Sequence, residues 1–249
     1  MTSKFYFYAC GSIPNRGQTF AVKAVESYLR HKKPKYAALA DVKQFYKSVK
    51  KEHVMRCLRR VFKDERFLLL NERILDQMDG GLAIGFTVSH WYAHLVLSSI
   101  DKRIKEQYPS VFLVRFMDNY VFLNNRKRTL HNVIDQLMYE LGNFDLCVKQ
   151  NWQVFQVKYR MVEFLSYRLD HHKTILRKKL MYRMCKRFKR AKKKLDAHNA
   201  RVIMSYRGIL SHCDSYNFRV AWLYPNVSLS VCRRLISNAD KKRTLCGTA

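Results

Sequence analysis

The sequence predicts an α+β fold of the split βαβ, ferredoxin-like type, in which an antiparallel sheet carries helices on one face. Three observations point to this class. Apolar residues make up 48% of the 249 residues and aromatics 13%, with only 8 Gly and 4 Pro, so the chain can build a core. Strand-like and helix-like segments follow one another in the order that this layout requires. Two apolar runs near the middle are separated by only two residues, which is typical of a tight β-hairpin.

The first part of the chain contributes one strand and several helices. Apolar residues at helical spacing predict helices over 19–31, 51–62 and 65–78. A short buried strand is expected at 36–42, which reads Tyr-Ala-Ala-Leu-Ala-Asp-Val. A long uncharged stretch supplies a further helix over 87–106. Its Ser, Thr and His residues make it too polar for a membrane span, so we expect a buried helix and no membrane partner.

The hairpin and a second group of strands follow. The apolar runs at 111–117 and 120–123 are joined by Asp118 and Asn119, residue types that tolerate the positive φ of a two-residue turn. The segments predicted after the hairpin are a helix over 127–141 and strand-like runs at 147–149, 152–157 and 162–169. Together with the strand at 36–42, these segments complete the split βαβ order.

Two carboxylates from distant parts of the chain are expected to meet at the tips of the central strands. Asp41 ends the first strand and Asp118 lies in the hairpin turn, and the predicted layout puts the two strands side by side. Carboxylates this close repel each other unless a cation lies between them. Mg²⁺, which takes oxygen ligands, is the first candidate. A lone Asp at a strand end is usually a cap or a surface group, so the hypothesis depends on the pair.

The charge of the chain indicates a polyanionic partner. There are 48 Lys and Arg against 19 Asp and Glu, a formal net charge of +29, whereas solubility needs only about 2–8. Nucleic acid is the first class of partner and an anionic membrane surface the second, which disfavours an ordinary acidic metabolic enzyme. The basic residues concentrate in one stretch, between 177 and 207, where apolar residues recur at helical spacing. We expect a basic helix that contacts phosphates.

The cysteine and histidine patterns favour no structural metal or disulfide. The seven cysteines are widely spaced and form no CxxC pair, which favours reduced thiols in a cytoplasmic setting. His90 and His94 have the spacing of two zinc ligands on a helix, but the sequence offers no third ligand nearby. Packing roles are therefore expected for both histidines.

Several segments resemble the motifs of reverse transcriptases, in the order of that family. Asp41 followed five positions later by Tyr46 resembles the first palm motif, and Gly81 to Ser89 resembles the loop and helix that position template and primer. Residues 115–119, Arg-Phe-Met-Asp-Asn, resemble the YxDD hairpin. The later segments with such a resemblance are 149–155, 163–167 and, for the thumb of bacterial members, 205–216. The bacterial diversity-generating, retron and group II intron-like enzymes resemble this chain most.

The resemblance implies an RNA-directed DNA polymerase, a nucleotidyltransferase that adds dNTPs to a primer on an RNA template. A right-hand architecture follows, with partial fingers at 1–34, a palm with inserted fingers helices at 35–170 and a helical, nucleic-acid-binding thumb at 171–249. The implied partners are the RNA template, the primer, the RNA/DNA duplex and the dNTP. The implied cofactor is Mg²⁺, with Mn²⁺ as a substitute.

The family's functional residues map onto positions that match its motifs. The implied catalytic residues are Asp41, Asp118 and Asn119; the implied metal ligands are Asp41, Asp118 and the backbone carbonyl of Val42; the implied substrate-binding residues are Val42, Tyr46, Gly85, Ser89 and Lys149. Tyr46 would lie under the deoxyribose and exclude a 2′-hydroxyl, although a core role beside Phe45 is equally compatible with the sequence. Gly85 would let the backbone approach a base, and Lys149 would assist the triphosphate.

Three departures from the family pattern leave alternatives open. Asn119 stands where the family has a second acid, and Ala83 where it has a proline. Residues 10–17 resemble the second fingers motif, but no basic fingers segment precedes them. We therefore expect a piece of a longer product, a protein or RNA partner that supplies fingers, or a minimal enzyme. The alternative functions are a catalytically impaired RNA-binding protein derived from a reverse transcriptase, and an RNA-dependent RNA polymerase, against which Tyr46 argues.

Overall fold

The computed structural model describes residues 5–78 and 80–246, with side chains described as far as Lys241. It is a mixed α+β structure whose chain divides into two compact units between Val162 and Glu163. The elements of the first unit are β1 (Ala9–Cys10), α1 (Gln18–Lys32), β2 (Tyr36–Asp41), α2 (Phe45–Ser48), α3 (Lys51–Val61), α4 (Glu65–Asp76), α5 (Thr87–Gln107), β3 (Phe112–Phe116), β4 (Asn119–Asn124), α6 (Lys127–Gly142) and β5 (Gln153–Gln156).

The first unit is built on a five-stranded sheet with the order β1-β3-β4-β2-β5. β2 runs antiparallel to both β4 and β5, and β3 runs antiparallel to β4. These four strands have the split βαβ order that the sequence predicts. The sheet is mixed rather than purely antiparallel, because the short edge strand β1, which sequence reasoning missed, pairs in parallel with β3.

Both faces of the sheet are covered, which differs from the expected single helical layer. Tyr120 and Phe122 of β4 belong to the core that α5 and α6 share. Val121 and Leu123 point to the opposite face and are also fully buried. α1, which packs against β3, lies outside that shared core and buries its own apolar stripe. A strand buried on both faces reads as a continuous apolar run, as β4 does.

The hairpin turn lies one residue earlier than predicted. Met117 and Asp118 form the turn, and Met117 takes the positive φ, at 54°. Asn119 is the first residue of β4, where it pairs with Phe116 on one side and Asp41 on the other. Pairing with two neighbouring strands holds Asn119 in the ladder and moves the turn toward Met117.

Two predicted strands near the end of the first unit are shorter than expected. The run at 147–149 forms a single bridge between Val148 and Val42. The run at 162–169 is divided into β6 (Val162–Phe164) and β7 (Tyr167–Leu169). Leu165 between them has a φ of 53°, which ends one strand and reverses the chain into the next.

The second unit is mainly helical, and β6, β7 and β8 (Thr174–Leu176) form a three-stranded sheet at its start. The elements that follow are α7 (Lys178–Lys193), α8 (Ala197–Leu210), α9 (Tyr216–Phe218), a π-helical turn (Arg219–Leu223) and α10 (Leu229–Cys246). α7 is the predicted basic helix, and it buries Met184, Phe188 and Ala191 while its charged side chains face outward. In neither unit do the described residues include a helix long and apolar enough to cross a bilayer.

Candidate active site

The register between β2 and β4 brings the two predicted carboxylates to the same end of the sheet. Asp41 is the Cα partner of Asn119, so its neighbour Asp118 lies directly beyond the end of β2. The backbone N–H of Val42 donates to the carbonyl of Asp118 at 3.2 Å, which fixes the turn against β2. The predicted juxtaposition of Asp41 and Asp118 is therefore confirmed.

The surroundings of Asp118 disfavour the charged form of its carboxyl group. Burial raises the pKa of its carboxyl above the ordinary value, and the nearby charge of Asp41 raises it further. The side-chain amide of Asn119 donates to Oδ1 of Asp118 at 3.1 Å and partly offsets this effect. The charge of Asp41 is thus close enough to disfavour the charged form of Asp118.

Lys149 supplies the positive charge nearest to Asp41. Its Nζ lies 2.6 Å from Oδ1 of Asp41, and its backbone N–H donates to the carbonyl of Asp41 at 2.8 Å. Oδ1 is itself buried and has no partner in hydrogen-bond geometry within the described part of the chain, so its contact with Lys149 is an ion pair. Lys149, which the resemblance assigns to the triphosphate, is therefore held at the carboxylate pair.

The donor set at this position suits a hard divalent cation. Two carboxylates and the adjacent carbonyl of Val42 are oxygen ligands of the kind that Mg²⁺ takes. Burial first and the charge of Asp41 second raise the pKa of Asp118, although Lys149 partly compensates, so a bound cation would relieve the remaining electrostatic cost. Within residues 5–78 and 80–246, no group of three or more His, Cys, Asp or Glu side chains offers a competing metal site.

Tyr46 lies beside this site and is held by a residue that sequence reasoning did not assign to it. Its hydroxyl oxygen is 2.7 Å from Nδ1 of His90 on α5, and the two rings are perpendicular with centroids 5.7 Å apart. Burial, with a smaller effect of the Asp118 charge, raises the pKa of Tyr46 to about 12. Tyr46 is half-buried rather than a core residue like Phe45. His90 therefore packs against Tyr46, and among the described residues it belongs to no cluster of three or more potential metal ligands.

The loop before α5 approaches Tyr46 through Gly81. A Cβ on Gly81 would lie 2.6 Å from the carbonyl oxygen of Lys47 and 2.7 Å from that of Tyr46. The N–H of Leu82 donates to the same Tyr46 carbonyl at 2.7 Å. Gly85 instead has a φ of 96° and open space around it. The intramolecular close approach is thus at Gly81, which sequence reasoning did not assign, while Gly85 faces outward.

Ser89 differs from the other predicted substrate contacts. It is fully buried on α5, and its hydroxyl has no hydrogen-bond partner among the residues that the structure describes. Ser89 is therefore inaccessible from the surface, whereas Gly85 is exposed and Tyr46 half-buried.

A buried ion pair supports the hairpin from below. Arg115 and Asp101 are both fully buried, with Nη2 of Arg115 2.7 Å from Oδ2 of Asp101. Nη1 of Arg115 donates to the carbonyl of Met117 at 2.8 Å, which ties the turn to α5. The sequence contains two signals for this pair: an Arg inside an apolar strand, and the Asp that ends the uncharged stretch. Both charges lie in segments expected to be buried, and buried charges need partners.

His94 completes that network as a neutral residue. Its Nε2 donates to the carbonyl of Gly11 at 2.5 Å, and Nη1 of Arg115 lies 3.4 Å from its Nδ1. Burial, reinforced by the Arg115 charge, lowers the pKa of His94 to about 3. The predicted packing role of His94 is confirmed.

Comparisons with known proteins give a family match and similar solved structures. The sequence model of the family described as "Reverse transcriptase (RNA-dependent DNA polymerase)" matches residues 3–169. No curated protein matches the chain. A structure of apo telomerase from Candida tropicalis is 15% identical, covering 62% of this chain and 35% of that chain, with a TM-score of 0.49. A second, truncated from its C-terminal domain, is 14% identical, covering 63% of this chain and 38% of that chain, with a TM-score of 0.50.

The scope of these similarities differs. The chain spans little more than a third of the length of the telomerase structures, and at such identity the likeness to the second structure concerns the fold alone. The family match covers more than half of the chain and includes Asp41, Asp118 and Lys149. The chain therefore belongs to the reverse transcriptase family.

Proposed function

We propose that this chain is an RNA-directed DNA polymerase that extends a primer with dNTPs on an RNA template. The observation that carries the proposal is the β2–β4 register, which places Asp41 and Asp118 side by side within the matched family region. Single-acid sites are common at strand ends, but two acids from different strands with one raised pKa are typical of metal-dependent chemistry.

Asp41, Asp118 and the carbonyl of Val42 would hold Mg²⁺, with Mn²⁺ as a substitute. Bound there, Mg²⁺ would supply the Lewis acidity for activating the primer 3′-hydroxyl and for stabilising the charge on pyrophosphate. Asn119 contributes by donating to Asp118, which orients that carboxylate. Lys149 pairs with Asp41, and in this proposal its flexible ammonium would turn to a nucleotide phosphate instead.

Tyr46 and the Gly85 loop would form the walls of the nucleotide site. The half-buried Tyr46 ring, anchored by His90, would exclude a ribose 2′-hydroxyl and favour dNTP over NTP. The loop that carries Gly85 exposes Ile84 and Phe86, which are 78% and 59% accessible. Exposed apolar side chains beside a metal site are suited to contact with base pairs. Ser89 would support this wall from beneath.

The basic helix α7 would bind the phosphates of the RNA/DNA duplex. Its exposed side chains include Arg183, Lys186, Lys189 and Arg190, and Lys189 lies over the ring of Trp222 at 5.0 Å. Contacts of this type depend on charge and not on base sequence. In this proposal residues 1–34 are partial fingers, 35–170 the palm and 171–249 the thumb. The proposed kinship with bacterial diversity-generating, retron and group II intron-like enzymes is based on the motifs alone.

Primer extension tests the proposal directly. The full chain is mixed with an RNA template, an annealed primer, dNTPs and Mg²⁺, alongside a reverse transcriptase known to work under the same conditions. We expect extension products that require Mg²⁺ or Mn²⁺ and the RNA template. Absence of products while the control enzyme is active would overturn the catalytic proposal. Preferential use of NTPs would instead indicate an RNA-dependent RNA polymerase.

A second candidate function follows from Asn119. Because an amide replaces the second acid of the hairpin, the site has one negative charge fewer than the family pattern, which lowers its affinity for Mg²⁺. A catalytically impaired RNA-binding protein is the corresponding alternative. The variant Asn119→Asp distinguishes an impaired polymerase from a protein that only binds RNA. A large gain in primer extension indicates an impaired enzyme. A variant that still extends no primer but binds RNA indicates a non-catalytic RNA-binding protein.

A further inference from the structure

An open cavity lies between α1 and the edge of the sheet, away from the carboxylate pair. It has a volume of about 370 Å³ and is lined mainly by aromatic rings and basic side chains. The principal lining residues are Phe7, Tyr8, Phe20, Tyr28, Phe112 and Lys23; we call this the aromatic cavity. Phe112 begins β3, whereas Asp118 follows the end of that strand, so the two sites lie at opposite ends of β3.

The rings of the aromatic cavity form one connected surface. Tyr28 stacks on Phe112 with centroids 4.0 Å apart and planes 9° from parallel. Tyr8 meets Phe112 edge-on at 5.1 Å, and Phe7 meets Tyr8 edge-on at 4.9 Å. Phe7 is 57% exposed. An exposed phenyl ring on a pre-assembled aromatic wall offers a face to a flat ligand without prior rearrangement.

The rim of the aromatic cavity is positively charged. Lys23 and Lys32 line it, both are exposed, and neither has an ion pair or side-chain hydrogen bond among the described residues. Arg16 lies over the ring of Phe7 at 5.2 Å and extends the positive surface. No acidic side chain is among the described residues that line the cavity. A ligand that matches this site carries flat rings and negative charge together.

We propose that the aromatic cavity is a second RNA-binding site, which holds an unpaired segment of RNA outside the polymerase site. Bases would stack on Phe7 and Tyr28, and phosphates would contact Lys23 and Lys32, the combination that single-strand binding surfaces use. The cavity volume is at the lower end for ligand pockets, so it admits a nucleotide and not a duplex. A second copy of the chain, at +29, would be repelled from a basic rim.

Ser27 and His31 favour RNA over DNA as the occupant. Both line the aromatic cavity and are exposed, and Nδ1 of His31 bonds to the Ser27 backbone carbonyl at 2.8 Å. This bond fixes the imidazole and leaves its Nε2 directed away from the helix backbone. A ribose 2′-hydroxyl, which both donates and accepts, finds a partner in such a polar rim.

Photocrosslinking locates the site in the whole 249-residue chain. A short unstructured oligouridine RNA that contains 4-thiouridine is irradiated with the protein, and the crosslinked peptides are mapped by mass spectrometry. We expect crosslinks on the peptides that contain Phe7, Tyr8 or Tyr28. A DNA oligonucleotide of matching sequence should crosslink there at least about fivefold less. Absence of crosslinks on these peptides, or equal crosslinking by DNA, would overturn the RNA site.

Matched variants test the stacking and the charge separately. Phe7→Ala is expected to weaken oligouridine binding about tenfold, since base–aromatic stacking contributes that order of affinity. Tyr139→Ala, which removes a ring that is 67% exposed on α6, is the control and should change binding less than twofold. The pair Lys23→Glu with Lys32→Glu should weaken binding more than Lys102→Glu with Lys127→Glu, which makes the same charge change elsewhere. Equal losses in variants and controls would contradict the proposal.

The outcome is independent of the proposed polymerase activity. Phe7→Ala should leave extension of a pre-annealed primer unchanged, because the duplex does not enter the aromatic cavity. If the chain forms crosslinks in the cavity but extends no primer, the RNA site is supported and the polymerase proposal is overturned. If it extends a primer but forms no crosslinks in the cavity, the polymerase proposal is supported and the RNA site is overturned.

Discussion

His90 determines where the Tyr46 hydroxyl lies, and in the proposed function that would give a histidine outside the family motifs a part in nucleotide selection. The contact is a single hydrogen bond of 2.7 Å between α5 and the segment after β2. Without this bond the backbone of Tyr46 keeps its position, because the Leu82 N–H still donates to the Tyr46 carbonyl. The ring, however, would gain freedom to rotate away from the proposed position of the ribose.

We predict that His90→Leu lowers the preference for dNTP over NTP about tenfold, the value of one lost hydrogen bond to a positioned group. The expected change is in KM for NTP relative to dNTP, measured by single-nucleotide incorporation, with kcat for dNTP less affected. His90→Asn, whose amide can replace Nδ1, should restore most of the discrimination. An unchanged preference in His90→Leu would show that Tyr46 does not act through His90.

His94 makes the stability of the first unit sensitive to acid. Above about pH 6.5, its ordinary pKa, the imidazole is neutral in both the folded and the unfolded chain. As the pH falls toward the folded-state pKa of about 3, only the unfolded chain binds the proton, so folding loses stability. The loss that His94 contributes is on the order of 4 kcal/mol across this range.

We therefore predict that His94→Gln flattens the acid side of the stability curve. The Gln amide can keep the hydrogen bond to Gly11 without titrating. Urea unfolding of the two proteins at several pH values should give similar free energies at pH 7 and a growing advantage for the variant below pH 6. Parallel curves would contradict the assignment of His94 as the acid-sensitive group.

At the scale of elements, the turn before α5 packs closely against the backbone of α2 at Gly81. Any side chain there meets two backbone carbonyls at less than 3 Å, so the loop or α2 has to move. Displacement of Tyr46 by even about 1 Å is expected to lower the rate of extension about 100-fold. We predict this loss for Gly81→Ala.

Gly85→Ala is the matched control for that change. Its positive φ makes Ala costly by about 1–2 kcal/mol, but no atom within 4 Å obstructs the new methyl group. Extension by Gly85→Ala should therefore fall much less than extension by Gly81→Ala, while circular dichroism shows both folded. The reverse order would mean that a ligand, and not α2, makes the critical approach to this loop.

The elements of the sheet also show what sequence patterns can and cannot specify. The apolar runs around Asp118 and the strand ending at Asp41 were sufficient to predict the central pairing, because strand order and side-chain alternation constrain the register. β1 was missed since two residues at a sheet edge carry no period. Gly81, His90 and the Arg115–Asp101 pair depend on contacts between elements, which no single segment encodes.

At the scale of the whole molecule, a chain with a net charge of +29 keeps one small acidic site in its first unit. The basic face of α7, the rim of the aromatic cavity and Lys149 are separate cationic features, each suited to phosphate. Their contributions to RNA affinity should weaken steeply with salt, whereas the Asp41–Asp118 pair should contribute little to affinity and much to chemistry.

The variant Asp118→Ala tests that division most directly. Extension of an annealed primer and equilibrium binding of the same primer–template are measured side by side for the wild type and the variant. We predict that extension falls about 1,000-fold or more, since charge stabilisation worth several kcal/mol is lost, while binding changes less than about twofold. Loss of both together would show that Asp118 is a structural acid, and persistence of extension would contradict its assignment to the catalytic centre.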